Sequence, residues 1–128
     1  FIITPNTLEA EKILNCKVTN IYEMLDCKNK FSALNIKRVL LKGGHMQVNK
    51  KTITNILFNN GKTHKFSSER IKTKNTHGTG CSLASAITAN LFLGKSLKES
   101  IKLSISYVHN GIKKGFLIGK GHNPINHF

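Results

Sequence analysis

At 128 residues the chain is sized for one domain, and two prolines and no tryptophan exclude a proline-rich stalk or linker. Hydrophobic residues make up 39% and aromatics 7%, enough for a core but a lean one. A formal net charge of +14 fits phosphate-bearing partners, but its lysines are scattered without interleaved aromatics, and the 14 Asn and 14 Ile beside them are residues of A/T-rich codons, so compositional drift is favoured over a nucleic-acid footprint.

Residues 1–4 read as a strand already under way, with no charged segment ahead of it of the kind a signal peptide carries. Pro5-Asn6 turns the chain, and Asn6 followed three residues later by Glu9 is a helix start of capping-box type. Leu8, Ala10, Ile13 and Leu14 give that helix its apolar face, and Thr19 opens a second helix running through Tyr22, Leu25 and Leu34. Residues 36–41 are β-branched and end at Lys42-Gly43-Gly44, a strand followed by a turn. Strands at 46–48, 53–58 and 63–66, with turns at Asn49-Lys50-Lys51 and Asn59-Asn60-Gly61, make the middle a β-meander.

From Asn75 the pattern changes. His77-Gly78-Thr79-Gly80-Cys81 is a tight loop, and Leu83, Ala84, Ile87 and Leu91 follow at helical spacing as far as Gly94. Ser96 and Glu99 form a second capping box, ahead of Ile101, Ile105, Val108 and Ile112 on one helical face. Residues 119–128 are irregular. The order of elements is an α/β pattern without internal boundary, so residues 1–128 form part of one domain. The uncharged stretch 75–94 is a glycine-rich loop and a buried helix, not a membrane span.

The chemistry concentrates at Gly78-Thr79-Gly80-Cys81. Two glycines let the backbone approach a ligand closely, and the helix behind them presents unpaired N–H groups and a partial positive charge, a cradle for an anion. A loop that only needs glycine in order to turn explains the same residues. Cys81 falls in the first helical turn, where a thiol is activated; a small buried hydrophobe is the alternative, and it is the reading given to Cys16 and Cys27. Three cysteines without a CxxC pair exclude a disulfide framework and a zinc site and fit a reducing cytoplasm, and six histidines without HxxxH spacing exclude a histidine metal cluster. Asn6 and Glu9 cap a helix, and at the end of a strand they are also placed to hold a hydrated Mg²⁺. Lys42, beside Gly43, follows a buried strand and either reaches a phosphate or is a solvated lysine at a turn.

Four blocks in order, Thr-Pro-Asn-x-x-Glu-Ala (4–10), Lys-Gly-Gly-His (42–45), Thr-Lys-Asn-Thr-His-Gly-Thr-Gly-Cys (73–81) and the closing Gly-His-Asn-Pro-Ile-Asn-His-Phe, resemble the hydroxymethylpyrimidine/phosphomethylpyrimidine kinases of thiamin biosynthesis, in the ribokinase-like superfamily. The resemblance implies the C-terminal portion of a ribokinase-like three-layer α/β sandwich, about half of the family's length. It implies an anion hole at Gly78, Thr79 and Gly80, Cys81 in the position of the catalytic base, Lys42 and Gly43 on the ATP side, and Asn6 and Glu9 ordering Mg²⁺ through water. Most ribokinase-like sugar kinases carry Asp where Cys81 stands.

The implied activity is ATP-dependent phosphorylation of 4-amino-5-hydroxymethyl-2-methylpyrimidine, then of its monophosphate, by a cytoplasmic enzyme with homodimeric relatives. The pyrimidine contacts belong to the other half, so the chain is expected to be inactive alone. A truncated ATP-binding remnant, a related pyridoxal-type kinase and, remotely, a basic nucleic-acid-binding module are the alternatives. The two phosphorylation steps also set different demands on position 81. A hydroxyl acceptor benefits from a base, whereas an acceptor phosphate is already anionic. A fixed Asp, with an ordinary pKa of about 3.9, would repel that second substrate, whereas a thiol with an ordinary value of about 8.5 can meet it uncharged.

Overall fold

The structure is a computed structural model that describes residues 1–46, 51–116, 118 and 121–128. These residues form two compact units, Phe1–Arg70 and Ile71–Phe128, each taken by itself below.

The first unit contains α1 (Thr7–Leu14), α2 (Ile21–Ala33), β1 (Arg38–Leu41), β2 (Thr52–Asn59) and β3 (Lys62–Glu69). The strands form an antiparallel sheet in the order β1-β2-β3. Asn60 and Gly61, at φ 47° and 81°, make the tight β2–β3 turn, since a two-residue hairpin loop of this hand needs positive φ at both positions. The expected strand at residues 1–4 is reduced to isolated parallel bridges, Ile3 with Val39 and Asn6 with Lys42. Pro5 has no N–H to continue the ladder, although its carbonyl still accepts from the Lys42 N–H at 2.9 Å. Of the expected strand at 46–48, Met46 lies outside any strand and residues 47 and 48 lie outside the described ones, as do 49 and 50 of the expected turn.

Alternation in β1 and β2 sends Val39, Leu41, Ile56 and Phe58 to one face. There they pack with Met24, Cys27 and Phe31, a stripe at helical spacing on α2, and with Ala10 and Val18. The rings of Phe31 and Phe58 lie 6.5 Å apart. Leu40 and Leu57, on the opposite face, are also fully buried. The helix faces differ from expectation: Leu8 and Ile13 are exposed while Thr7 and Ala10 are buried, and Tyr22 and Leu34 are exposed while Met24, Cys27 and Phe31 carry the contact. The second helix is capped by Asn20, whose side chain accepts from the N–H groups of Tyr22 and Glu23. Thr19 instead donates to the Glu23 carboxylate through its N–H, at 2.6 Å, and its hydroxyl, at 2.9 Å. These bonds hold that carboxyl below its ordinary pKa.

The second unit pairs α3 (Thr79–Phe92) with α4 (Leu97–Lys113). Gly94, at φ 78°, ends α3, and the Lys95 N–H returns to the Asn90 carbonyl at 3.1 Å, the reversal that glycine allows after a helix. Ser96 caps α4 by accepting from the Glu99 N–H. Leu83 and Ile87 of α3 are buried, and so are Ser100, Ile101, Ser104, Val108 and Gly111 of α4. Ile105 and Ile112, expected in that stripe, are only half-buried, because small residues fill it. The Ser104 hydroxyl donates to the Ser100 carbonyl at 2.7 Å, which satisfies it within its own helix.

Candidate functional site

The first unit gathers one set of the expected residues at the end of β1. Asn6 caps α1 with its Oδ1 accepting from the Glu9 N–H at 2.8 Å, and the Glu9 carboxylate accepts from the Asn6 N–H at 2.6 Å. The capping box is therefore complete, and the bridge from Asn6 to Lys42 sets α1's first turn beside the Lys42-Gly43 corner. The Lys42 ammonium makes no ion pair among the described residues. Gly43 is buried, and a Cβ there would lie 2.1 Å from the Thr54 carbonyl oxygen, so only glycine lets the corner pass β2 this closely.

Two residues outside the sequence reading complete the corner. Asn55, buried in β2, accepts from the Gly43 N–H at 3.1 Å. The Arg70 guanidinium donates to the carbonyls of Gly44, at 3.0 Å, and Met46, at 2.6 Å. An Asn inside a strand pattern was the available signal for the first; nothing local marks the second.

The second unit holds the other set. The helix starts earlier than the expected loop allowed: Gly78, at φ 82° and ψ 0°, is the N-cap of α3, and Thr79, Gly80 and Cys81 are its first turn. Glycine supplies the left-handed conformation but no capping side chain. The Thr79 hydroxyl donates to the Thr76 carbonyl at 3.1 Å, and the Thr79 N–H reaches the same oxygen at 3.5 Å. The first regular helical bond runs from the Ser82 N–H to the Gly78 carbonyl at 2.9 Å. The N–H groups of Gly80 and Cys81 thus have no partner among the described residues, and no atom approaches within 4 Å of a Cβ placed on Gly78. Donors free at a helix start, with an open glycine ahead of them, can take an anion.

Cys81 is exposed. It lines one end of an open groove of about 710 Å³ along α3 and α4, whose walls include Ser85, Ala89, Leu103, Tyr107 and His127. The other two cysteines follow their structural reading. Cys16 is half-buried, and Cys27 is sealed in the core with its Sγ against the Glu23 carbonyl at 3.2 Å. Burial, reinforced by Cys16, pushes the Cys27 thiol up to about 11. Among the described residues no cluster of three His, Cys, Asp or Glu could hold a metal ion directly, and no helix is long and apolar enough to cross a membrane.

The sequence profile of phosphomethylpyrimidine kinase matches residues 1–126. The chain is 38% identical over 127 residues to the thiamine biosynthesis bifunctional protein ThiED of Geobacter sulfurreducens, covering 99% of this chain and 26% of that protein. It is 32% identical over 128 residues to the hydroxymethylpyrimidine/phosphomethylpyrimidine kinase of Bacillus subtilis, covering 100% of this chain and 47% of that one. Among solved structures, the pyridoxal kinase from Staphylococcus aureus in complex with AMP-PCP superposes with a TM-score of 0.90 at 25% identity, covering 98% of this chain and 46% of that one. The expected ribokinase-like α/β fold is thereby established, and the chain spans half or less of the length of each of these three proteins.

Proposed function

Because this chain belongs to the phosphomethylpyrimidine kinase family, we propose that it supplies the ATP and phosphate half of a kinase that phosphorylates 4-amino-5-hydroxymethyl-2-methylpyrimidine and then its monophosphate. The observation that carries the reading is the start of α3, where the N–H groups of Gly80 and Cys81, behind the open, positive-φ Gly78, have no partner among the described residues. Phosphoryl transfer asks a protein mainly for positioning and for charge stabilisation on the moving group. In this reading Gly78, Thr79 and Gly80 form the anion hole for the transferring phosphate. The exposed Cys81 beside them takes the proton of the hydroxyl acceptor in the first step; in the second the acceptor is already anionic and no base is required. Lys42 and Gly43 lie on the ATP side.

Asn6 and Glu9 fit a hydrated Mg²⁺ in the chemistry of their donors, which are hard oxygens. The capping box commits one Glu9 oxygen to the Asn6 N–H, leaving the second for a metal-bound water. When bound, the ion neutralises phosphate charge. Asn6 and Glu9 would hold it, and the rigid cap orients the carboxylate.

The binding half of this proposal is tested by thermal stabilisation of the chain with ADP and Mg²⁺ at moderate salt. A rise in melting temperature that saturates with ADP is expected; no rise, or steep salt-sensitive binding to random DNA instead, overturns it. A second reading, phosphorylation of pyridoxal, is favoured by the close superposition on the Staphylococcus aureus pyridoxal kinase. A chain completed with the half absent here separates the two: kcat/KM for the hydroxymethylpyrimidine above that for pyridoxal supports the first reading, and the reverse order supports the second.

A further inference from the structure

Of the closing motif, Gly-His-Asn-Pro-Ile-Asn-His-Phe, His127 lines the groove that Cys81 also lines, and residues 123–126 have no role in the site described above. Its described residues are irregular, yet they are heavily bonded. The Asn123 N–H donates to the Lys74 carbonyl at 3.0 Å, and the Asn123 carbonyl accepts from the His77 N–H at 3.1 Å. His77 and Pro124 form a parallel bridge, and the Ile125 N–H reaches the His77 carbonyl at 3.4 Å. Residues 123–125 therefore run alongside the segment that delivers Gly78, bridged to it at one position.

Two further contacts anchor this segment. The Asn123 side chain, only 3% exposed, accepts from the Ile118 N–H at 3.0 Å and donates to the Gly121 carbonyl at 3.4 Å. The Asn126 N–H donates to the Gly111 carbonyl on α4 at 3.0 Å, and its side-chain amide donates to the Lys114 carbonyl at 3.3 Å. A Cβ on Gly111 would sit 2.7 Å from the Asn126 carbonyl oxygen, so that approach exists only because α4 carries glycine there. The helix start itself has no capping side chain to fix it.

We infer that residues 123–126 hold the Gly78–Cys81 helix start in position, with Asn123 as the positioning residue: α4 anchors this segment, the segment fixes His77, and His77 delivers Gly78. Asn123 touches no reacting atom. The consequence for nucleotide binding rests on the kinase reading; the mechanical coupling does not.

Asn123→Ala tests both by amide exchange in the chain, read by NMR, with ADP titrated in parallel. Exchange at His77 and Ile118 is expected to speed up about tenfold while the interior amides of α4 keep their protection, as the loss of one buried hydrogen bond predicts. Asn123→Asp keeps the acceptor oxygen but loses the donor to the Gly121 carbonyl, and is expected to restore His77 protection in part; Asn123→Ser, too short to reach Ile118, is not. This pair decides the matter if the alanine variant fails to fold. ADP-induced shifts at Gly80 and Cys81 are expected to need about tenfold more ADP in Asn123→Ala. Unchanged His77 exchange in both Asn123→Ala and Asn123→Ser overturns the inference. Accelerated exchange in a chain whose unsubstituted form never responds to ADP leaves the positioning intact and overturns the kinase reading instead.

Discussion

Two glycine corners, Lys42-Gly43-Gly44 and Gly78-Thr79-Gly80, look alike in the sequence and are opposites in the structure. The first is closed. Gly43 is buried with its N–H on Asn55, and there is no room for a Cβ. The second is open: nothing crowds Gly78, and two N–H groups behind it have no partner among the described residues. The helices beside them differ in the same sense. α1 begins with a complete capping box and α3 with a bare glycine, and α2 and α4 are capped by Asn20 and Ser96. At the packed corner the Gly43 N–H is met by a buried side chain; at the open one the space in front of the free donors is free too.

The largest test of this contrast is stability. Gly43→Ala drives a methyl into the Thr54 carbonyl and is expected to cost about 3 kcal/mol, measured by urea denaturation. Gly78→Ala meets only the strain of its positive φ, about 1 kcal/mol. If the two losses came out in the opposite order, the assignment of one glycine to packing and the other to openness would collapse. Between them in kind lies the α1 cap: Asn6→Ala removes the acceptor for the Glu9 N–H and is expected to destabilise by about 1 kcal/mol.

Gly80 sharpens the comparison because its two expected effects have opposite signs. It lies in helical conformation in the first turn, so Gly80→Ala is expected to stabilise the chain by about 0.5 kcal/mol or slightly more. The same methyl crowds the approach to the free N–H groups and is expected to abolish stabilisation by ADP. A variant that both melts higher and still binds ADP would show that the open corner is not an anion site.

The cysteines divide along the same line. Exposed Cys81 is expected to react fully with iodoacetamide at pH 8 while Cys27 stays unmodified until the chain unfolds, read by mass spectrometry. The sign of the pH effect follows. Burial raises the Cys27 thiol to about 11, so its contribution to stability is whole below the unfolded value, near pH 9, and is lost as pH rises through the folded value. Cys27→Ala is expected to flatten the alkaline end of the stability profile.

Capping, turns and motif blocks were legible because each depends on a few neighbouring residues: Asn6 with Glu9, Asn60 with Gly61 and the Gly78–Cys81 helix start; of the second expected capping box only the Ser96 half forms, since the Glu99 carboxylate pairs with Lys95. Misreadings fell where burial is decided by partners far along the chain. Leu8, Ile13 and Tyr22 have the right spacing for a core yet face solvent, while Thr7 and Ser104 are buried because helices pack closely over small side chains. Asn55, marked only as an Asn inside a strand, and Arg70, not marked at all, were missed for the same reason: the corner they hold is 12 and 26 residues away from them.

The smallest expected stability change carries the most specific information about the first corner. Glu9→Gln keeps a side-chain oxygen to accept from the Asn6 N–H, and Gln is accepted in a capping box, so the change in stability is expected to stay within about 0.5 kcal/mol. What it removes is charge. If Glu9 only caps α1, ADP binding should have the same Mg²⁺ dependence with either residue. If it also orders a hydrated cation, the Mg²⁺ concentration for half-maximal stabilisation by ADP should rise several-fold in Glu9→Gln, by the loss of one anionic ligand partner. An unchanged Mg²⁺ midpoint would return Glu9 to capping alone.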